Sequence, residues 1–160
     1  MGSGAKGIYG SGRSGSQPYA PSYHVVKDMF EHDVQNGTII NGKYGINPTA
    51  KNINELIRGN YIGNKNTNIK MPYVIDMQGN IIVGRRNGNT KTGAPTPHPT
   101  LIGGRDPLVQ MAGIVDIQGG KIISYNNNSG HYKPNAKSMK VADEAFRLLP
   151  RVIFKTKKGL

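Results

Sequence analysis

The stretch MPYVIDMQGNIIVG, residues 71–84, and the stretch MAGIVDIQGGKIISY, residues 111–125, decide the fold of this chain. Each consists of two apolar runs that flank a Gln-Gly turn, and glycine supplies the positive φ angles that a tight turn requires. The pattern predicts two β-hairpins, formed by residues 73–77 with 81–84 and by residues 111–117 with 121–125. Their likeness is one of turn chemistry and carries no functional weight.

Three helices are predicted outside the hairpins, from apolar spacing and from residues typical of helix ends. Ser22 can cap the first, which Asn36-Gly37 ends, and Gly59 and Pro150 end the other two. The predicted helices span residues 22–33, 48–58 and 136–149, and short strands are predicted at 38–40 and 152–154. The sequence therefore predicts an α+β fold: an antiparallel sheet of four to six strands with two or three packed helices.

The composition limits the organisation of the chain. Its 160 residues are most simply a flexible leader rich in Gly and Ser, residues 1–21, and a single domain, residues 22–160. There is no cysteine, which excludes a disulfide framework, Cys-ligated zinc and a cysteine nucleophile. No apolar run approaches the roughly 18 residues of a membrane span. The first residues lack the apolar core of a secretory signal, so we expect any export to depend on another segment or on a carrier.

The charge balance indicates the kind of partner. Lys and Arg number 21 against 9 acidic residues, a formal net charge of +12. Such an excess favours a polyanion as the partner: a phosphate backbone, an anionic membrane surface or an acidic protein. The alternative is that the charge serves solubility alone.

Two histidines lie in short segments rich in hydroxyl residues, glycine and proline. His98 lies in PHPTLIGG, residues 97–104, and His131 lies in NSGHYKP, residues 128–134. An imidazole titrates near neutrality and is a natural general acid or base. The pair predicts a site where one histidine deprotonates a ribose 2′-hydroxyl and the other protonates the leaving 5′-oxygen. The products are a 2′,3′-cyclic phosphate and a 5′-hydroxyl, and no metal is needed. The alternative for each histidine is a structural hydrogen bond within its own loop.

Hydroxyls and cations near these histidines complete the predicted site. Ser129, Thr100 and Tyr132 are predicted to orient a phosphate, and Tyr132 is also a candidate for stacking on a base. Four cations are predicted to neutralise the charge that develops on the phosphate: Arg85, Arg86, Arg105 and Lys133. For each cation, a solvated surface position is the alternative.

Other chemistries are disfavoured. His24, Asp28 and His32 share one side of the first predicted helix, but no fourth ligand accompanies them, so no metal site is predicted. Walker A, Rossmann and Gly-x-Ser-x-Gly motifs are absent. Residues 65–135 contain three Asp and no Glu, too few paired carboxylates for a two-metal nuclease or a glycosidase. No cofactor is predicted.

The phrases at residues 73–84, 98–104, 112–113, 120–122 and 128–134 together resemble the C-terminal domains of bacterial polymorphic toxins of the Rhs and contact-dependent types. A similar block closes plant and fungal IQ-motif calmodulin-binding proteins, but this chain has no IQ motif, so calmodulin binding is not expected. The resemblance implies a secreted effector of interbacterial competition, delivered by a larger carrier into the cytoplasm of a rival cell. It also implies a cognate acidic immunity protein and a target such as tRNA or rRNA.

Three functions stay open. Toxins of this kind include metal-independent ribonucleases and ADP-ribosyltransferases, which use NAD to modify RNA or protein. A transferase would draw on Arg85, His98 and Ser129, but the family usually places a catalytic Glu on a late strand, whereas Glu144 falls in a predicted helix. The third reading is a basic RNA-binding module without enzymatic activity. The residue types favour the ribonuclease.

Overall fold

The computed structural model describes residues 21–89, 91 and 94–156, so the predicted leader lies outside the described residues except for Pro21. Within these residues the α-helices are α1 (Lys27–Gln35) and α2 (Met139–Arg147). The strands are β1 (Ile39–Ile40), β2 (Lys43–Tyr44), β3 (Lys51–Asn52), β4 (Ile57–Arg58), β5 (Tyr61–Ile62), β6 (Ile69–Ile75), β7 (Ile81–Val83), β8 (Met111–Gln118) and β9 (Lys121–Tyr125).

A five-stranded antiparallel sheet, in the order β3-β7-β6-β8-β9, forms the centre of the molecule. Two small hairpins, β1-β2 and β4-β5, lie outside it. Both long hairpins predicted from the sequence are present, and β6 and β8 pair along seven positions, from Ile69 opposite Ile117 to Ile75 opposite Met111. The α+β prediction is confirmed.

The two faces of the sheet are buried by different partners because side chains alternate along a strand. One face packs on α2, where the rings of Tyr73 and Phe146 meet edge to face with centroids 5.4 Å apart. The other face carries Val74 and Ala112, which pack against Tyr132. This second face continues beyond the core towards the candidate site described below.

The second predicted helix, residues 48–58, is wrong. Only a 3-10 turn, Ile53–Leu56, forms there, and the Asn52 side chain caps it by accepting the Asn54 N–H at 3.0 Å. The flanking residues form β3, paired with β7, and β4, paired with β5. Pairing with a distant strand therefore overrides the local helical pattern.

The chain ends also differ from prediction. Helix α1 starts at Lys27, not near Ser22, because Tyr23 pairs with Val109 through backbone hydrogen bonds in both directions. The predicted strand at 152–154 is wrong: Arg151–Ile153 is a 3-10 turn, and Phe154 makes a single bridge to Ile122. Helix α2 follows a 3-10 turn, Ala136–Ser138. No helix in the described ranges has the length and apolarity needed to cross a membrane.

Candidate functional site

A cleft of about 530 Å³ opens on the sheet face opposite α2. Its floor is Pro72 on β6 and Ile114 on β8, which lie directly opposite each other in the strand register. One wall is formed by residues 95–98 together with Arg86, and the other by residues 128–131. His98 and His131, far apart in sequence, therefore line the same cleft.

His131 lies on a tight turn that is fixed at both ends. The Lys133 N–H donates to the Ser129 carbonyl at 2.8 Å, and the Tyr132 N–H donates to the Ser129 hydroxyl at 3.2 Å. The carbonyl of His131 accepts the Val26 N–H at 2.8 Å, which ties the turn to the start of α1. The imidazole is consequently held in place by backbone contacts rather than by a mobile loop.

Asp33, at the C-terminal end of α1, holds the ring of His131. Its carboxylate is 2 % exposed and accepts the Nε2–H of His131 at 2.9 Å and the hydroxyl of Tyr44 at 2.5 Å. Because a carboxylate can only accept, the His131 proton lies on Nε2 and Nδ1 keeps its lone pair. In the described part of the chain, Nδ1 meets no hydrogen-bond partner. This is the Asp-His arrangement of an oriented general base.

Burial and the charge of Asp33 shift the pKa of His131 in opposite directions. Burial lowers the pKa of His131 below its usual range, and the negative charge and hydrogen bond of Asp33 offset part of that effect. Burial also raises the pKa of Tyr44, and contact with the Asp33 carboxylate raises it further. Tyr44 is therefore a neutral donor and His131 is a neutral imidazole at pH 7.

His98 opens a short 3-10 helix, His98–Leu101, and is 7 % exposed. Its Nε2–H donates to the Gly113 carbonyl on β8 at 2.7 Å, which leaves Nδ1 as an acceptor. Burial lowers the pKa of His98 to about 4; the bond to Gly113 opposes this change, and electrostatic interaction with His131 and Arg86 adds to it. His98 is thus an acceptor at neutral pH and is poorly suited to protonate a leaving group.

Two other predicted residues line the cleft. Arg86 is exposed in the cleft, and it is the one cationic side chain among the described residues that line the cleft. Ser129 also lines it, and because the Ser129 oxygen accepts from Tyr132, its own O–H remains available to donate.

Tyr132 and Thr100, which we predicted to contact phosphate, do not line the cleft. Tyr132 is 2 % exposed in the core and donates its hydroxyl to the Pro107 carbonyl at 2.5 Å. Thr100 is also buried and donates to the Pro97 carbonyl at 2.6 Å. Both hydroxyls are committed to backbone carbonyls, so the two side chains support the walls of the cleft and do not fit the role of substrate contacts.

Three predicted cations, Arg85, Arg105 and Lys133, are exposed and lie outside the cleft lining. The backbone of Arg85 has a structural role, since its N–H donates to the Thr49 hydroxyl at 2.8 Å and its carbonyl accepts from Asn47 at 2.9 Å. Arg105 reaches the Asn41 carbonyl at 3.5 Å. These residues contribute to the positive field around the site rather than to the site itself.

Asn47 is a supporting residue that sequence reasoning missed. It is 2 % exposed, and its amide donates to the Arg85 carbonyl and, at 3.0 Å, to the Thr96 hydroxyl. The Thr96 hydroxyl in turn lies 2.8 Å from the carbonyl of Arg86. This network fixes the segment that carries Arg86 against the segment that carries His98.

His24 and His32, the two histidines of the first predicted helix, do not come together with carboxylates in a metal-binding cluster among the described residues. His24 pairs with Asp106 at 3.0 Å on the surface, and no group of three or more ligands with metal-binding geometry occurs among the described residues. Glu31, Glu55 and Glu144 are all exposed, and no carboxylate is among the described residues that line the cleft. A catalytic Glu of the transferase kind therefore has no counterpart there.

Comparison with known proteins adds no relative: no family model, no curated protein and no solved structure matches this chain. The toxin resemblance therefore stays a prediction.

Proposed function

We propose that this domain is a metal-independent ribonuclease of the toxin type, with His131 as its general base. The observation that carries the proposal is the convergence of two neutral imidazoles on one cleft, with Asp33 hydrogen-bonded behind His131. Two histidines in the cleft of a basic domain, with no carboxylate among the described residues that line it, match the chemistry of RNA cleavage by its own 2′-hydroxyl.

In the proposed reaction, Nδ1 of His131 removes the proton from a ribose 2′-hydroxyl. The 2′-oxygen attacks the adjacent phosphorus, the bond from phosphorus to the 5′-oxygen breaks, and that oxygen takes a proton from solvent. The products are a 2′,3′-cyclic phosphate and a 5′-hydroxyl. The imidazolium formed on His131 is stabilised by the buried Asp33 carboxylate at 2.9 Å.

The other residues of the cleft have positioning and electrostatic roles. Arg86 is placed to balance the negative charge that grows on the phosphate oxygens, and the Ser129 O–H can donate to one of them. His98, neutral and fixed by Gly113, offers Nδ1 as an acceptor for a substrate hydroxyl. This assignment changes the two-histidine hypothesis: His131 keeps the role of base, and His98 becomes an anchor instead of the acid.

The bulk properties fit a delivered toxin. A net charge of +12 draws the domain to RNA and to an acidic immunity protein by the same electrostatic attraction. We propose a larger carrier for delivery into the cytoplasm of a rival cell, and tRNA or rRNA as the substrate.

The test incubates purified domain with tRNA and with rRNA, in EDTA and without NAD. We expect fragments from the wild type, none from His131→Asn, and unchanged cleavage from the matched control His24→Asn, whose imidazole lies in an exposed ion pair away from the cleft. A parallel incubation with labelled NAD identifies a transferase. RNA left intact by the wild type, with or without transfer of label, would overturn the proposal; tight RNA binding without cleavage would indicate the non-enzymatic module.

A further inference from the structure

The floor of the cleft is an apolar platform that the proposed proton transfer does not use. Pro72 and Ile114 lie opposite each other on β6 and β8. The backbone of Ile114 is bonded on its other side, to Asn126, with its N–H donating to the Asn126 side chain at 2.9 Å and its carbonyl accepting the Asn126 N–H at 3.1 Å. Pro72 and Ile114 are consequently a non-hydrogen-bonded pair, the kind in which side chains stand closest.

This geometry also explains a proline in a strand that has neighbours on both sides. Pro72 has no N–H to donate, and a non-hydrogen-bonded pair requires none on the β8 side. On the other side, β7 has already ended at Val83, and the Pro72 carbonyl accepts the Gly84 N–H at 3.4 Å. The proline therefore costs the sheet no bond to β8, and the one bond it cannot make lies on the side of Gly84, beyond the end of β7. Its ring is rigid and buried, and the more exposed Ile114 forms the accessible part of the floor.

Polar groups suited to a nucleotide surround this platform. Pro95 and Pro97 extend the apolar surface up one wall, and Arg86 stands on the same side. On the opposite wall, Asn128 uses its backbone N–H on the Asn126 side chain at 2.9 Å, while its own side-chain amide has no partner within the described ranges. A side-chain amide carries both a donor and an acceptor, so it can form hydrogen bonds with the edge of a base that lies on the apolar surface.

We propose that the Pro72–Ile114 platform is a base-binding subsite for one RNA nucleotide, with Asn128 as the residue that discriminates between bases. The proposal rests on the proposed ribonuclease function and names its substrate unit. The base lies on the platform, its edge meets the Asn128 amide, and its 3′-phosphate faces Arg86 and Ser129. The cleft volume of about 530 Å³ lies within the range of about 300–1,000 Å³ that small-molecule sites occupy.

An RNA unit is favoured over NAD by the lining of the cleft. An ADP-ribosyl transfer needs a carboxylate to stabilise the positive charge that develops on the ribose, and none is present among the described lining residues. Two neutral imidazole acceptors instead suit the hydroxyls of a ribose.

The experiment measures binding of the four nucleoside 3′-monophosphates, inorganic phosphate and NAD by calorimetry, since none of these ligands can be cleaved at a 3′-phosphodiester. We expect at least one nucleotide to bind tenfold or more tightly than phosphate. Ile114→Ala should remove about tenfold of that preference, while the matched control Ile123→Ala, exposed on β9 outside the cleft, should leave it unchanged. Unchanged phosphate affinity shows that each variant is folded.

Asn128→Ala should bring the affinities of the four nucleotides to within about twofold of one another, and the control Asn66→Ala, exposed in a distant loop, should preserve their differences. Nucleotides that bind no better than phosphate, or an Ile114→Ala effect equal to that of Ile123→Ala, would overturn the subsite. NAD binding more tightly than every nucleotide would overturn the RNA assignment. Nucleotide binding without RNA cleavage would refute the ribonuclease function and support the subsite. RNA cleavage together with nucleotide affinities that Ile114→Ala leaves unchanged would support the ribonuclease function and refute the subsite.

Discussion

Replacing Asp33 by Asn tests the proton-transfer chemistry with little change in shape. Tyr44 and His131 donate to the same carboxylate oxygen, Oδ2, so the oxygen of an asparagine amide can take its place and accept from both. The amide carries no negative charge, however, and the imidazolium that forms on His131 loses its buried counter-charge. The tautomer of His131 is kept, and the stabilisation of its protonated form is lost.

The magnitude follows from the lost charge. A hydrogen bond to a charged partner is worth about 1.5–3 kcal/mol and a neutral one about 0.5–1.5 kcal/mol, so replacing the carboxylate by an amide should cost about 1–1.5 kcal/mol, or about 5- to 13-fold in rate. Because Asp33 is 2 % exposed and outside the cleft lining, we expect the loss in kcat and little change in KM.

The pH dependence separates this role from a merely structural one. The Asp33 carboxylate raises the pKa of His131 against the lowering caused by burial. Removing the charge must therefore lower this pKa further, and the acidic limb of the residual activity moves to lower pH. RNA cleavage is measured from pH 4.5 to 8, with thermal unfolding as the check on folding.

Asp28→Asn is the matched control, since Asp28 is an exposed carboxylate on the same helix. It should retain wild-type kcat and the wild-type pH profile. An Asp33→Asn protein within twofold of wild type, with an unmoved acidic limb, would refute the assignment of His131 as an Asp-supported base.

Three other variants test further contacts. Tyr44→Phe removes a donor that stabilises the charge of Asp33, so the pKa of His131 should rise. The acidic limb of the pH–rate profile should then move to higher pH, with kcat reduced less than about tenfold, and movement to lower pH would contradict the proposed contacts. The pKa of His98 falls from 6.5 in the unfolded chain to about 4 in the fold, so the unfolded state binds more protons between these pH values. Acidification should therefore lower the free energy of unfolding by up to roughly 3 kcal/mol, and urea unfolding should show a smaller loss in His98→Gln. Equal losses on acidification in the two proteins would contradict this. Gly113→Ala places a methyl group against the Asn126 carbonyl and should destabilise the fold by about 3 kcal/mol. Gly130→Ala places its methyl group in open space and should leave the stability nearly unchanged. Similar melting temperatures for the two variants would count against the close approach of β8 to the segment after β9.

The parts of the fold that local sequence specifies were predictable. The Gln-Gly turns determine the hairpins β6-β7 and β8-β9, and the apolar spacing of residues 136–149 indicates the helix that contains α2. The second predicted helix failed because β3 gains its hydrogen bonds from β7, a strand some thirty positions further along the chain. Periodicity in a short window carries no information about such a distant partner.

For the site, sequence identified residue types but not their surroundings. His98, His131, Ser129 and Arg86 line the cleft as a group, as the polar phrases suggested. Asp33 was missed because it follows other acidic residues on a helix that looks solvated, and it becomes buried only where α1 docks on the turn that carries His131.

Tyr132 shows the opposite error. Its phenol is chemically suited to a phosphate or a base, yet its bulk places it among Val74, Val109 and Ala112 in the core. An aromatic side chain beside a catalytic candidate is as useful for packing as for chemistry, and only its neighbours in space decide between the two roles.

Activation of a ribose 2′-hydroxyl by His131 fixes the chemistry of the RNA fragment ends, which mass spectrometry identifies. We expect 2′,3′-cyclic phosphate and 5′-hydroxyl ends from the wild type in EDTA, and neither from His131→Asn. Fragments with 3′-hydroxyl and 5′-phosphate ends, or cyclic phosphate ends produced equally by the variant, would contradict it.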